Sequence, residues 1–106
     1  MTISETAEFG AIRHLLDSPN IRTRTEPFVG DDGFDWTALF EQAATMSGGE
    51  QVLIRAAHDL WQAEGTVGIS EITRGLGASN FQRFIEALAI ARGEEIDAEN
   101  RVLQPA

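Results

Sequence analysis

The chain has 106 residues, 42% of them hydrophobic, and its 17 acidic and 8 basic residues give a net charge of −9. This length and apolar content predict one compact domain over residues 1–106 and exclude a wholly disordered chain. Cysteine is absent, so disulfides, thiolate nucleophiles and zinc–thiolate sites are excluded. We expect a cytoplasmic protein, since we find neither a secretory signal nor an apolar run of about 18 residues.

The N-terminal section predicts a helix and then a long loop. Thr2 and Glu5 have the spacing of a capping box, and apolar residues recur behind them at helical intervals, which predicts a helix over 1–17. Residues 18–34 contain two prolines and two glycines and predict a loop. A connection of this length is either partly disordered or packed through its apolar side chains, which are Ile21, Phe28 and Phe34.

Residues 35–93 predict a helical core. Asp35 is a candidate N-cap for a short helix over 36–46. Ser47 and Glu50 have the spacing of a capping box, and the most strongly amphipathic segment of the chain follows them.

Glycine and serine residues mark the ends of the remaining predicted helices. The expected positions are Gly65 at the end of the long helix, Ser70 as the cap of a brief helix over 70–76, Ser79 and Gln82 as a capping box for a last helix over 80–92, and Gly93 after it.

The C-terminal residues 94–106 predict a small β-hairpin or a tail. Ile96 and the pair Val102–Leu103 flank the polar run 97–100, a spacing that suits a hairpin better than a further helix. The whole pattern predicts a mainly α fold, a compact helical domain of four to five short helices with this small hairpin at its end.

Residues 52–104 follow the order helix, short strand, helix, turn, helix, hairpin, and this order resembles a winged helix-turn-helix domain. The resemblance makes 79–92 the recognition helix and 94–104 the wing. It implies contacts with duplex DNA through polar side chains of the recognition helix, which are Asn80, Gln82, Arg83 and Arg92. The same helix face is expected to expose Glu86.

The segment in the place of the wing is acidic. Its carboxylates belong to Glu94, Glu95, Asp97 and Glu99. Each of them would face phosphate and oppose the counterion release that drives DNA binding. The acidic wing therefore favours a protein partner over nucleic acid.

Two short motifs suggest a ligand site, but neither is complete. Residues 46–51 (MSGGEQ) look like the signature of ABC-type ATPases, yet the chain has no lysine and therefore no standard phosphate-binding P-loop. Residues 31–35 (DDGFD) look like the start of a calcium loop, yet an EF-hand needs Gly at its sixth and Glu at its twelfth position, where this chain has Trp36 and Gln42. We expect a helix start and a capped turn instead.

The inventory of catalytic groups is thin. His14 and His58 are the two histidines, and we expect both to be structural. No serine lies in a nucleophile-elbow sequence. We therefore predict a protein that is not an enzyme, with no catalytic residues, no metal site and no cofactor.

Aromatic residues are concentrated near the second predicted helix. They are Phe28, Phe34, Trp36 and Phe40. Burial in the core is the first expectation. If the loop is open, these side chains instead form an anchor patch of the kind that dominates protein interfaces.

Most of the excess negative charge lies toward the two ends of the chain. Residues 1–35 contain 7 acidic and 3 basic residues, and residues 94–106 contain 4 acidic residues and 1 basic residue. The middle section, residues 36–93, is closer to neutral, with 6 acidic and 4 basic residues. A surface of this sign repels nucleic acid and suits a basic protein. We expect the contacts to come from both ends, through Glu94, Glu95, Asp97, Glu99, Asp31 and Asp32.

These observations predict a non-enzymatic, acidic protein-binding module. It would be a small accessory or regulatory factor, a class that includes phage-type inhibitors, and it would dock on or inhibit a larger, basic, nucleic-acid-binding protein. No membrane partner is expected. The alternatives are a winged-helix DNA-binding transcription regulator and a structural assembly component that forms homo-oligomers.

Overall fold

The computed structural model describes residues 7–31, 33–63 and 65–94, together with the backbone of two short strands near the C-terminus. Within these residues six α-helices follow one another: α1 (Ala7–Leu16), α2 (Arg22–Thr25), α3 (Trp36–Ala43), α4 (Gly48–Gln62), α5 (Ile69–Gly75) and α6 (Ala78–Ala91). A 3-10 turn, Glu26–Phe28, continues α2. The predicted mainly helical fold is confirmed, but the described residues contain six helices where four to five were predicted, since α2 lies in the segment predicted as a loop. None of the described helices combines the length and apolar character that crossing a membrane requires.

Helix α1 lies at the centre of the packing, against both α4 and α6. Its core face is formed by Phe9, Ala11, Ile12, Leu15 and Leu16, all of them buried. Burial of such side chains is the main favourable term in folding, about 1.5–3 kcal/mol for each large one. A weakly helical sequence therefore becomes the most enclosed helix of the fold.

Helices α1 and α6 run antiparallel. A Cβ atom at Gly10, early in α1, would lie 3.6 Å from Cγ2 of Ile90, late in α6. At the other end, Ser18 Oγ just after α1 donates to Asn80 Oδ1 in the first turn of α6 at 2.9 Å. The start of α1 and the end of α6 therefore lie side by side.

The segment 18–34 differs from the predicted loop, because it contains α2 and the 3-10 turn. Ile21 and Thr25, one helical turn apart, are both buried. Thr25 Oγ1 donates to the carbonyl of Leu16 at 2.6 Å, which satisfies its buried hydroxyl. This face contains one apolar residue and one threonine, so it leaves no apolar periodicity in the sequence. Of the two expectations for this segment, the structure shows the packed one.

Two of the predicted helix starts are confirmed. The Asp35 carboxylate accepts from the amide of Ala38 at 3.1 Å, at the start of α3. Ser47 and Glu50 form the reciprocal capping box of α4, with bonds of 3.3 and 3.1 Å. Each bond satisfies an amide that the first helical turn leaves without a partner.

Two other predicted starts are wrong by one residue or more. Helix α5 begins at Ile69 rather than after Ser70, because the Glu71 side chain accepts from the amide of Gly68 at 3.1 Å. Helix α6 begins at Ala78 behind Gly77, without a side-chain cap. The Ser79–Gln82 capping box therefore does not form.

Of the predicted helix ends, one is confirmed and one is wrong. Gly93 has the expected left-handed conformation (φ 88°), and the amides of Gly93 and Glu94 bond back to Ile90 and Ala89 as in a Schellman motif. Helix α4 ends earlier than predicted, at Ala63 with φ 57°, not at Gly65. The Thr2–Glu5 capping box lies outside the described residues.

Two short strands follow α6. They are β1 (Ile96–Asp97) and β2 (Val102–Leu103), which pair antiparallel with Ile96 opposite Leu103. Residues 98–101, where the turn of the predicted hairpin would lie, are outside the described residues.

Candidate partner-binding surface

A row of polar side chains runs along the interface between α1 and α6. His14 Nε2 lies 2.6 Å from Oε1 of Glu86, whose side chain is fully buried, and Gln82 Nε2 donates to Glu86 Oε2 at 3.2 Å. Arg83 donates from Nε and Nη2 to the carbonyl of His14 at 3.0 and 2.6 Å. We call this set, with Ser18 and Asn80, the polar seam. A buried carboxylate is tolerated only when it is paired and hydrogen-bonded in this way.

The polar seam corrects the expected exposure of the last helix. Glu86 is fully buried and Asn80 is 8% exposed, while Arg83 is half-buried against α1. The prediction that α6 presents these three side chains to solvent was wrong, because the N-terminal helix covers that face. His14 pairs with Glu86, 72 residues away, not with Asp17 one turn along its own helix.

The two remaining residues of the predicted DNA-contacting set differ in their exposure to solvent. Gln82 is half-buried and bonded to Glu86. Arg92 is exposed, and its Nε lies 3.2 Å from Oε2 of Glu94. Of the four side chains that the winged-helix resemblance assigned to DNA, Arg92 therefore has the most solvent-accessible position.

Three described acidic residues lie on elements that pack together near the start of α1. Glu8 is exposed in the first turn of α1, and the antiparallel packing brings Glu94, just after α6, to the same end. The Phe34 ring stacks on Phe9 at 4.9 Å, and Phe34 also bridges to Val29. The turn between them carries the exposed Asp31 to this end as well. We call Glu8, Asp31 and Glu94 the acidic end.

The other predicted contact residues are neighbours of the acidic end in the sequence. Asp32, Glu95 and Glu99 lie outside the described residues, and Asp97 is described only by its backbone position in β1. The structure thus brings together Asp31 and Glu94 of the predicted set. It adds Glu8, which sequence reasoning missed because an exposed glutamate in a first helical turn is commonplace.

Both short motifs lead into the start of a helix. In residues 46–51, Ser47 is the N-cap of α4, and Gly48 and Gly49 belong to its first turn. The turn after Val29 ends in the N-cap Asp35. Within the described residues, no three His, Asp or Glu side chains approach one another as a metal site would require.

Aromatic rings form a continuous cluster from α1 to α4. Phe34 contacts Phe9 at 4.9 Å, Trp61 at 5.1 Å and Trp36 at 5.3 Å between ring centroids. We call these rings, together with Phe40 and His58, the ring cluster. Phe9 is buried, whereas the other five rings are partly exposed. The expected burial of the aromatic residues is therefore met in part, and the anchor patch stays a prediction.

A groove of about 380 Å³ runs beside α1. Its charged lining side chains carry both signs and belong to Arg13, Arg22, Asp17 and Glu26. Arg22 and Asp17 are 3.9 Å apart and more than half exposed. This balance of charge gives the groove no preference for an anion or a cation. The sequence did not predict it, because its walls come from α1, α2 and the end of α6.

The link between α4 and α5 is held by two acidic side chains and one arginine. Asp59 accepts from the amides of Thr66 and Val67 at 2.8 and 2.7 Å. Arg55 donates to Glu71 and to the Thr66 carbonyl, each at 2.8 Å. These acidic residues therefore hold the link in place and are not available to a partner.

The bonds to Glu71 predict a pH effect at the start of α5. The Gly68 amide, and then the Arg55 guanidinium, lower the pKa of Glu71 below its ordinary 4.5. A lowered pKa in the folded state gives stability that is present above pH 4.5 and lost as pH falls through the folded value. We expect an NMR titration of the Glu71 side chain to show a midpoint below 4.5. Arg55→Ala should raise it, and equal midpoints in both proteins would contradict the assignment.

Comparison with protein-family models, curated proteins and solved structures finds no match to this chain.

Proposed function

We propose that this protein is a non-enzymatic, acidic protein-binding module, a small accessory or regulatory factor that docks on or inhibits a larger nucleic-acid-binding protein. The acidic end is the observation that carries the proposal. It consists of described carboxylates from the two sections of the chain with the greatest excess of acidic residues, 1–35 and 94–106, and this supports the proposal.

The chemistry of such a partner follows from the sign of the charge. A protein that binds nucleic acid presents a basic surface to phosphate. A surface rich in carboxylates complements that surface, accelerates encounter and competes for the same arginine and lysine side chains. The guanidinium of Arg92 partly neutralises the charge of Glu94, since the two groups form an ion pair. We therefore expect the acidic residues that follow Glu94 in the sequence to contribute to the contact.

Affinity capture from a lysate of the native host, with and without nuclease, tests the proposal. We expect a basic protein that stays bound after nuclease treatment. Reversal of Glu94, Glu95, Asp97 and Glu99 to Arg should abolish its capture. For a matched comparison, Glu94→Arg/Glu95→Arg should weaken capture more than Asp17→Arg/Glu26→Arg, which changes the net charge equally near the other end of α1. Unchanged capture by the variant with all four reversals would contradict the proposal that the C-terminal carboxylates bind the partner.

The winged-helix interpretation is a second candidate. The order α4, link, α5, α6, β1 and β2 favours it, because the antiparallel strands follow α6 where a wing would lie. It predicts retarded duplex DNA at about 50 mM salt, where weak electrostatic binding is strong. Arg92→Ala is the informative variant, because Arg83→Ala would also remove the bonds to α1.

The two candidates give opposite results in the capture experiment. Capture that disappears after nuclease treatment, together with a DNA shift lost in Arg92→Ala, would replace the protein-binding module by a DNA-binding regulator. Self-association at neutral pH, measured by analytical ultracentrifugation, would instead favour a structural assembly component.

A further inference from the structure

We infer that the basic partner is recognised through arginine, and that one of its arginine side chains docks on three rings at the α3–α4 edge of the ring cluster. These rings, Trp36, Phe40 and His58, are called the outer rings. The inference rests on the proposed function, since it assumes a basic protein partner and specifies how that partner is bound.

The outer rings form a triangle that is partly open to solvent. Their centroids are separated by 5.0 Å for Trp36 and His58, 5.1 Å for Phe40 and His58, and 6.3 Å for Trp36 and Phe40. All three side chains are half-buried. Tryptophan is among the usual anchors of protein interfaces, and the faces of Trp and Phe rings attract cations. The chain itself places a guanidinium over a ring, since Arg13 Cζ lies 6.0 Å from the centroid of Phe9.

Exposed carboxylates flank the outer rings in the sequence. Asp35 precedes Trp36 and Glu41 follows Phe40, and both side chains are exposed. In the described part of the chain neither forms an ion pair, and the same holds for Asp31. The surface therefore combines partly exposed rings with carboxylates that form no ion pair within the described residues.

Two arginines of neighbouring elements already have hydrogen-bond partners other than the flanking carboxylates. Arg24 donates to the side chains of Gln42 and Thr45. Arg55 of α4 donates to Glu71 and to the link before α5. A cation that fills the place beside the outer rings is therefore expected to come from another molecule.

Arginine fits this surface better than lysine. Its planar guanidinium can stack on a ring while its N–H groups bond a carboxylate in a fork, whereas an ammonium is a compact and strongly hydrated point charge. Phe34 lies 5.3 Å from Trp36 and 4.9 Å from Phe9, so the outer rings are continuous with the acidic end. One basic partner can cover both.

An NMR titration of the full ¹⁵N-labelled chain tests the inference. The probes are a short unstructured peptide of alternating Arg and Ser and its counterpart with Lys in place of Arg. We expect the Arg peptide to bind more tightly and to shift the Trp36 indole N–H and the backbone amides of Asp35 and Glu41. Phe40→Leu, which removes one ring but keeps an apolar side chain, should reduce the preference for the Arg peptide.

Two variants of equal net charge separate a local site from general attraction. Asp35→Asn/Glu41→Gln removes both flanking charges, and the asparagine can still cap α3. We expect it to raise the dissociation constant about three- to tenfold. Asp17→Asn/Glu26→Gln, which removes two exposed charges that do not adjoin the outer rings in the sequence, should change that constant by less than about twofold.

Equal weakening by both double variants, or shifts confined to Glu8 and Glu94, would overturn the arginine site. The proposed function would stand in that case if a basic partner were still captured from the lysate. Conversely, peptide shifts at the outer rings without any captured basic protein would support the arginine site as a surface property and overturn the proposed function.

Discussion

His14→Ala is expected to lower the free energy of unfolding by about 3 kcal/mol, one of the two largest effects that we predict for a single substitution. The imidazole lies 2.6 Å from Oε1 of Glu86, whose side chain is fully buried. Without that ring, the carboxylate loses a close partner but stays out of water. Urea unfolding followed by far-UV circular dichroism measures the loss.

Two comparisons make the result specific to the buried pair. Asp17→Ala removes an ion pair with Arg22 whose side chains are 58% and 54% exposed, and it should cost less than about 1 kcal/mol. The double variant His14→Leu/Glu86→Leu removes both polar groups, and we expect it to be more stable than His14→Ala. If the double variant instead loses the sum of the losses measured for His14→Leu and Glu86→Leu alone, the pair is not coupled.

Gly49→Ala should destabilise the fold by about 1–3 kcal/mol through steric overlap. A Cβ atom at Gly49 would lie 2.6 Å from the carbonyl oxygen of Gly75, the last residue of α5. Because the obstructing atom belongs to the backbone, α5 must move away from α4. Thermal unfolding is a suitable measurement, with the α4–α5 link monitored by amide exchange.

The neighbouring glycine provides a matched control. A Cβ atom at Gly48 would meet nothing within 4 Å, although both glycines belong to the first turn of α4. Gly48→Ala should therefore raise stability by about 0.5–1 kcal/mol, since alanine loses less backbone entropy on folding. The same effect from both substitutions would mean that the close approach of α4 and α5 is not rigid.

The two glycines also show where the sequence stops being informative. The SGGE pattern predicted the capping box of α4 because its bonds join residues three apart. The pattern does not distinguish Gly48 from Gly49. That difference depends on Gly75 in another helix, and it exists only once α5 has packed against α4.

Features that depend on local bonds could be predicted from the sequence. Helical content, the caps at Asp35 and Ser47, and the left-handed Gly93 all follow from residues within one or two turns of each other. The predicted starts at Ser70 and Ser79 were wrong because other residues nearby take the N-cap position. Gly68 is the N-cap of α5 and Gly77 the N-cap of α6, and a glycine has no side chain by which the sequence could indicate a cap.

Features of the candidate surface depended on tertiary structure. The sequence determined that the protein is acidic, mainly helical and charged most strongly toward its ends. Only the packing of α1 against α6 decided that Glu86 is buried on His14 and that Glu8 and Glu94 share one end. Burial and proximity are properties of pairs far apart in the chain, so amphipathic periodicity alone could not assign them.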